Sequence, residues 1–245
     1  MKVVPGTEVT VKPLADGGEG TTEALVEGMG GDLVKVQVHG PLETPVTAAY
    51  GMIQKTGTAI MEMAAAAGII LVGKDKRPLE ATTYGVGEMI KDAIERGCRK
   101  FIIGIGGSAT NDGGIGMLTA LGYEFLDEDG EPAVIGADAL GKVVDIRTAN
   151  VLPELKECHF RVACDVTNPL CGENGATYIY GPQKGVTEEM REGLDEAMGS
   201  YAEVTKKSMG TDCALMEGAG AAGGLGFAFL SFLGAELLPG IELVL

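Results

Sequence analysis

The sequence predicts an α/β fold in which a parallel or mixed sheet carries helices on both faces. Residues 101–105 form a short apolar run bounded by glycine, which is typical of a buried strand. An amphipathic helix is expected just before it, at residues 86–96, and a second helix just after it, at 114–121. A helix, a strand and a helix joined without a tight hairpin favour parallel βαβ winding. The 39 glycines and the low aromatic content of 5% suit close packing of helices on such a sheet.

Strand and helix patterns alternate along most of the chain. Apolar alternation or short apolar runs predict further strands at residues 9–14, 33–38, 46–52, 58–63, 160–165 and 177–180. Apolar residues at helical spacing predict further helices at 23–29, 64–67, 187–209 and 225–233. The 245 residues are enough for one large domain or two small ones.

The charge of the chain restricts its partners. A formal net charge of −16 makes nucleic acid and an anionic membrane surface poor partners. The same field repels a nucleotide, so any phosphate site must be local and built from backbone amides, a few cations and a divalent metal. No apolar run reaches the ~20 residues that a membrane-spanning helix needs.

The five cysteines predict reduced thiols in a cytoplasmic protein. Their number is odd, no two of them form a Cys-x-x-Cys pair, and no secretory signal is recognised. Cys158, His159, Cys164 and Cys171 could be assembled into a zinc site on paper. Their spacing does not fit the common zinc modules, so we interpret these cysteines as structural.

The turn after the central strand is the strongest candidate for a ligand site. It reads Gly106-Gly-Ser-Ala-Thr-Asn-Asp-Gly-Gly114. Glycines let backbone N–H groups approach a ligand, and the following helix N-terminus adds partial positive charge. Ser108, Thr110 and Asn111 add neutral donors, and Asp112 adds a carboxylate. This set suits an anionic ligand with a metal or a hydroxyl beside it, although a tight turn with capping residues explains the same letters.

Three familiar sequence motifs match parts of the chain but each departs from its pattern at a required position. A dinucleotide fingerprint should run straight into a helix, whereas Gly113 and Gly114 interrupt the turn. A serine-hydrolase elbow needs glycine two residues after Ser108, where Thr110 stands. Residues 136–142 spell a phosphate-loop pattern, but Val143 replaces the Ser or Thr that binds magnesium.

Further polar residues are expected to meet the central turn. Asp16 and Glu19 lie in a glycine-rich turn with capping-box spacing, so they are either a helix cap or part of a site. Asp165 falls at the end of the strand predicted at 160–165, and Lys184 lies in a glycine-rich turn. The carboxyl ends of parallel strands share one edge of a sheet. Backbone amides and a lysine can bind phosphate oxygens, and carboxylates can bind a metal and accept the proton of a hydroxyl. Together these groups predict phosphoryl transfer.

The motifs together resemble the bacterial glycerate kinase family along essentially the whole chain. They are Asp16-Gly-Gly-Glu-Gly-Thr21, Gly104 to Gly114, Ala163-Cys-Asp-Val-Thr-Asn-Pro-Leu170, Gly181-Pro-Gln-Lys-Gly185 and Gly218-Ala-Gly-Ala-Ala-Gly-Gly224. The resemblance implies an ATP- and Mg²⁺-dependent kinase that converts D-glycerate to 2-phosphoglycerate, with 3-phosphoglycerate as the alternative product. It also implies two α/β domains, one inserted in the other. Residues 51–234 would be the inserted domain, residues 1–50 a remnant of the first domain with a hinge, and residues 235–245 a return segment.

The resemblance also suggests roles for individual residues. Asp165, Asp112 and Lys184 are the catalytic candidates, and Asp165 and Asp112 are also the metal candidates. The expected substrate- or nucleotide-binding residues are Asp16, Glu19, Gly106, Gly107, Ser108, Thr110, Asn111, Asn168, Gln183, Gly220 and Gly223.

The ends of the chain depart from the family pattern. Family members begin with a strand and an Asp-Ser-Phe-Lys-type motif, and they continue through a Gly-Glu-Gly motif and further elements. An alternative expectation is therefore an inactive domain that keeps its ligand-binding loops. Strands that lack sheet neighbours would leave open edges, which favour association with another copy.

Overall fold

The computed structural model describes Thr22, Val26, residues 30–133 and residues 135–243. Within these residues the strands are β1 (Asp32–His39), β2 (Pro45–Ile53), β3 (Thr58–Glu62), β4 (Lys100–Gly104), β5 (Glu124–Leu126), β6 (Asp145–Arg147), β7 (His159–Ala163) and β8 (Glu236–Leu238). The helices are α1 (Ala64–Ala67), α2 (Ile69–Val72), α3 (Tyr84–Glu95), α4 (Ile115–Ala120), α5 (Ala176–Lys184), α6 (Glu188–Met209) and α7 (Ala221–Leu233). The strand expected at 9–14, Asp16 and Glu19 lie outside the described residues, as does most of the helix expected at 23–29.

The main sheet is mixed and has the strand order β1-β2-β3-β4-β7-β8. The pairs β1–β2 and β2–β3 are antiparallel, whereas β3–β4, β4–β7 and β7–β8 are parallel. The predicted α/β class and the mixed sheet are therefore confirmed. Strands β5 and β6 form a separate antiparallel pair.

The main core lies on one face of this sheet. Phe101 of β4 stacks on Phe160 of β7, and Phe160 in turn contacts Phe229 of α7. The same core takes in the buried stripe of α3, including Met89 and Ile90. Side chains alternate between the two faces of a strand, so Ile53, Ile60 and Ile102 form a smaller cluster on the other face. There the helical residue Val26 lies against Gly51.

The strand predicted at residues 177–180 is wrong, because these residues belong to α5. Their short apolar run fits either structure, and Pro182 suggested a turn nearby. In the structure Ala176, Thr177, Gly181 and Lys184 are buried at helical spacing, so burial of one helix face overrides the local signal. Lys184 is consequently the last residue of a helix and not part of a loop. The three-residue strands β5, β6 and β8 are too short to give a sequence pattern of their own.

None of the helices in the described part of the chain is long and apolar enough to cross a bilayer.

Helices α3 and α4 approach each other closely at Gly87. A Cβ atom at this position would collide with the carbonyl oxygen of Met117 and with Ala120. We expect Gly87→Ala to lower the free energy of unfolding by about 2–3 kcal/mol, because the two helices would have to separate. Gly193 of α6 is the matched control, since it is exposed and a Cβ there meets nothing within 4 Å. Gly193→Ala should raise stability by up to ~1 kcal/mol in urea titrations followed by circular dichroism. Equal stability of the two variants would contradict the close helix contact.

Candidate functional site

A cavity of about 240 Å³ opens where the parallel strands β4 and β7 end. The segments that follow these two strands, one face of α5 and the start of α7 form its walls. The lining residues are Ile105, Gly106, Gly107, Ser108, Ala163, Cys164, Asp165, Val166, Tyr180, Gln183, Lys184, Ala221 and Ala222. A cavity at the carboxyl ends of adjacent parallel strands is the usual place for a ligand in an open α/β sheet. Six predicted site residues therefore line one cavity: Gly106, Gly107, Ser108, Asp165, Gln183 and Lys184.

The loop that follows β4 is held by the short helices α1 and α2. The Gly107 carbonyl oxygen accepts a hydrogen bond from the Ile69 amide at 2.8 Å. The Ala109 amide donates to the Ala67 carbonyl oxygen at 2.9 Å. Gly107 has a φ of +71°, a conformation that glycine adopts without steric cost. The exposed backbone of Gly106 and Gly107 is thus fixed at the cavity wall before any ligand arrives.

Asp165 supplies an exposed carboxylate to the cavity. It lies two residues past the end of β7, where the chain leaves the sheet. Its Oδ1 atom accepts a hydrogen bond from the Gly240 amide at 2.9 Å, which orients the carboxylate. The second oxygen is not used in that bond and can accept a proton or bind a cation.

Lys184 supplies a buried amine to the same cavity. Its side chain is only 2% exposed, and its Nζ atom donates to the Thr110 carbonyl oxygen at 2.6 Å. Burial lowers the pKa of Lys184 to about 7, although the negative charge of Asp112 opposes this shift. A buried ammonium interacts strongly with an anion, because little water screens the charge.

Asp112 is fully buried behind the loop and is not among the cavity-lining residues. Its Oδ2 atom accepts hydrogen bonds from the amide and the hydroxyl of Thr83, both at 2.8 Å. Its Oδ1 atom accepts from the Gly114 amide at 3.2 Å. Burial raises the pKa of Asp112, and these donors oppose the rise. The carboxylate therefore joins the glycine-rich loop to the start of α3.

Thr110 and Asn111 also lie behind the cavity. Both are fully buried, and the Asn111 Nδ2 atom donates to the Thr177 hydroxyl at 3.0 Å. The Asn111 Oδ1 atom has no hydrogen-bond partner among the described residues. The Asn111 side chain and the Thr110 carbonyl oxygen thus join the loop to α5.

Asn168, Gly220 and Gly223 are close to the cavity but do not line it. The Gly220 amide donates to the Asn168 carbonyl oxygen at 2.9 Å, and a Cβ at position 220 would collide with Pro169. Gly223 has a φ of +71°, and a Cβ there would collide with the Thr110 carbonyl oxygen. The two glycines allow α7 to approach the loops closely.

Tyr180 and Ala222 are among the cavity-lining residues that sequence reasoning missed. Tyr180 lies one helical turn before Lys184, so a helix prediction for α5 would have placed it beside the lysine. Ala222 has a φ of +52°, a conformation that costs an L-residue about 1–2 kcal/mol. No sequence signal marks this strained position.

The cavity fits a magnesium ion only as part of a complex with phosphate. In the described part of the chain, no three His, Cys, Asp or Glu side chains are arranged to hold a metal. Asp165 is the one carboxylate among the cavity-lining residues given above. Mg²⁺ in phosphoryl-transfer sites commonly takes one or two carboxylates and completes its shell with phosphate oxygens and water. One carboxylate is compatible with that mode of binding.

Comparison with known proteins identifies the family. The model of the Glycerate kinase family matches residues 1–245. The chain belongs to the glycerate kinase family. It is 49% identical over 244 residues to the glycerate 2-kinase of Escherichia coli K12, covering 99% of this chain and 64% of that protein. It is 45% identical over 245 residues to the glycerate kinase of Halalkalibacterium halodurans, covering 100% of this chain and 64% of that protein.

A solved structure shows the same fold. The crystal structure of a Salmonella typhimurium LT2 protein assigned as glycerate kinase 2 superposes with a TM-score of 0.93 at 47% identity. The match covers 95% of this chain and 62% of that one. This chain thus spans less than two thirds of the length of these glycerate kinase family relatives.

Proposed function

We propose that this chain transfers the terminal phosphoryl group of ATP to D-glycerate and forms 2-phosphoglycerate. The observation that supports this proposal is the presence of Asp165 and Lys184 in one cavity, beside the fixed backbone of Gly106 and Gly107. Membership of the glycerate kinase family supports the substrate. The name of the Escherichia coli relative, glycerate 2-kinase, supports phosphorylation at the 2-hydroxyl.

Each cavity group has a part in this proposal. The free oxygen of Asp165 accepts the proton of the substrate hydroxyl as that hydroxyl attacks phosphorus. The Lys184 ammonium binds an anionic group, which we take to be the carboxylate of the acid. Backbone amides of Gly106 to Ser108 face phosphate oxygens. The alternative role of Asp165 is to hold Mg²⁺, which would neutralise charge on the phosphates.

Asp112 has a supporting part in the same proposal. Its carboxylate accepts hydrogen bonds from Thr83 and Gly114, so both of its oxygens are already engaged. We propose that Asp112 fixes the loop at which the phosphates bind, and that Asp165 is the carboxylate that meets the substrate.

Three wider proposals concern the organisation of the protein. Residues 51–234 form an inserted domain, and the segments on either side belong to the other domain and the hinge. The boundary at residue 51 falls inside β2 (Pro45–Ile53), and β8 follows residue 234, so the main sheet runs through both boundaries. The protein works in the cytoplasm, which its five unpaired cysteines support. Association into homo-oligomers is the third proposal.

The proposed activity can be tested with purified protein. We expect ADP release that requires both D-glycerate and Mg²⁺, and ³¹P NMR should identify 2-phosphoglycerate as the product. L-Glycerate is the control for stereospecific binding. Absence of ADP release, together with a rise in melting temperature on adding D-glycerate, would support the alternative of a ligand-binding domain without turnover. The chain spans 64% of the length of these two relatives.

A further inference from the structure

The cavity-facing side of α5 carries a tyrosine that neither the motifs nor the comparisons assign. Tyr180, Gln183 and Lys184 occupy positions i, i+3 and i+4 of the helix, so they share one face. All three line the cavity. Tyr180 is half-buried and lies on the same wall as the ammonium that we assign to the carboxylate of the substrate.

The hydroxyl of Tyr180 has a fixed hydrogen-bond direction. It donates to the Oδ1 atom of Asn168 at 2.6 Å. The Nδ2 atom of Asn168 donates to the Asn174 carbonyl oxygen at 2.8 Å, which fixes the orientation of this side-chain amide. The side-chain oxygen of Asn168 can therefore only accept, and the single proton of the phenol is committed to it.

A phenol whose proton is used in a hydrogen bond to a neighbour can only accept a hydrogen bond from a ligand. The cavity then presents a donor at Lys184 and acceptors at Tyr180 and Asp165. A small hydroxy acid has the complementary pattern, with one carboxylate and two hydroxyl groups in the case of glycerate. Ser108 and Gln183 also line the cavity, but their side chains can donate as well as accept. If Asp165 takes the proton of the reacting hydroxyl, Tyr180 is the acceptor on the Lys184 wall whose proton is already used, and it matches the hydroxyl that does not react.

We propose that the Tyr180 hydroxyl oxygen accepts a hydrogen bond from the C3 hydroxyl of the bound acid, and that Asn168 is the positioning residue that holds Tyr180 for this contact. This inference rests on the proposed function, since it assumes that the acid binds in this cavity. It gives Tyr180 a role in selecting a dihydroxy acid over acids that lack the second hydroxyl. It also explains why Asn168 belongs to a site motif although it does not line the cavity.

The test compares two ligands that differ by one hydroxyl group. D-Lactate has the configuration of D-glycerate and lacks only the C3 hydroxyl. Calorimetric titration of the chain should show D-glycerate binding about fivefold to tenfold more tightly than D-lactate, which is the contribution of one hydrogen bond. In Tyr180→Phe this preference should disappear through weaker glycerate binding, with lactate affinity unchanged. Asn168→Ala should reduce the preference in the same direction.

Tyr178→Phe is the matched control, because Tyr178 is on the same helix but outside the cavity lining. Its ring contacts Arg191, and loss of its hydroxyl should leave the preference at the wild-type value. A Tyr180→Phe variant that keeps the preference, or that loses affinity for both acids equally, would overturn the inference while leaving the proposed function intact. Wild-type protein that binds neither acid would instead refute the proposed function, and the inference with it.

Discussion

Replacement of Lys184 by methionine is expected to weaken D-glycerate binding about 30- to 100-fold at pH 6.5, as measured by calorimetric titration. Methionine fills a similar volume without the charge, so the change removes the ammonium with little loss of packing. The ammonium is 2% exposed and its hydrogen-bond partner is the Thr110 carbonyl oxygen, which carries no net charge. An incoming carboxylate would therefore be the counter-ion on the cavity side. Lys142 is the matched control, because it is exposed and pairs with Asp138 at the surface.

The pH dependence of binding gives a second readout on Lys184. Its pKa of about 7 lies below the ordinary lysine value, so the amine loses its proton as the pH rises through neutrality. Above pH 7 the neutral amine must therefore take up one proton when an anion binds, and affinity should fall about tenfold for each pH unit above 7. Below pH 7 the affinity should be flat, since the site is already protonated. The same depressed pKa means that this residue's contribution to stability rises with pH from 7 towards the unfolded value.

Two measurements decide whether Lys184 is the source of this dependence. Lys184→Arg keeps its charge throughout this range, so its binding should be independent of pH if the variant folds. In the wild type, titrations at pH 8 in buffers of different ionisation enthalpy should reveal uptake of about one proton per ligand bound. Affinity of wild type that does not change between pH 6 and pH 9, with no proton uptake, would remove Lys184 from the anion site.

The sequence predicted the elements whose burial pattern is local. The apolar run of β4 and the long amphipathic α6 show their periodicity in consecutive residues, and both are found where they were expected. The position of Asp165 followed from the strand before it, because a residue just past a parallel strand end must lie at the sheet edge.

The sequence could not show which polar groups form hydrogen bonds with each other. Asp112 accepts its hydrogen bonds from Thr83, and Lys184 donates to Thr110, so both contacts join distant parts of the chain. A carboxylate in a glycine-rich loop has the same local pattern whether it faces a ligand or the protein interior. The hydrogen bond from Tyr180 to Asn168 was not predicted for another reason, because the helix that carries Tyr180 was predicted to be a strand.

Replacement of Asp165 by asparagine is the sharpest test of the chemistry. The side chains have nearly the same shape, and asparagine can still accept the hydrogen bond from the Gly240 amide through its Oδ1 atom. Asparagine cannot take a proton from the substrate, so we expect kcat to fall about 10²- to 10⁴-fold. Binding of D-glycerate should change by less than about threefold, because the amide NH₂ that replaces the second oxygen can donate a hydrogen bond to the oxygen of the substrate hydroxyl. Asp138→Asn, at an exposed surface pair, serves as the control.

The same substitution at Asp112 is expected to affect stability, whereas at Asp165 it is expected to affect turnover. Asp112→Asn places an amide NH₂ among the Thr83 and Gly114 donors, so it should lower the melting temperature. Normal turnover in Asp165→Asn, together with a folded but inactive Asp112→Asn, would reverse the roles.

The Mg²⁺ concentration needed for half-maximal rate shows whether Asp165 acts as a base or as a metal ligand. Loss of a base leaves that concentration unchanged while kcat falls, whereas loss of a metal ligand raises it, because fewer oxygens then hold the ion beside the phosphates.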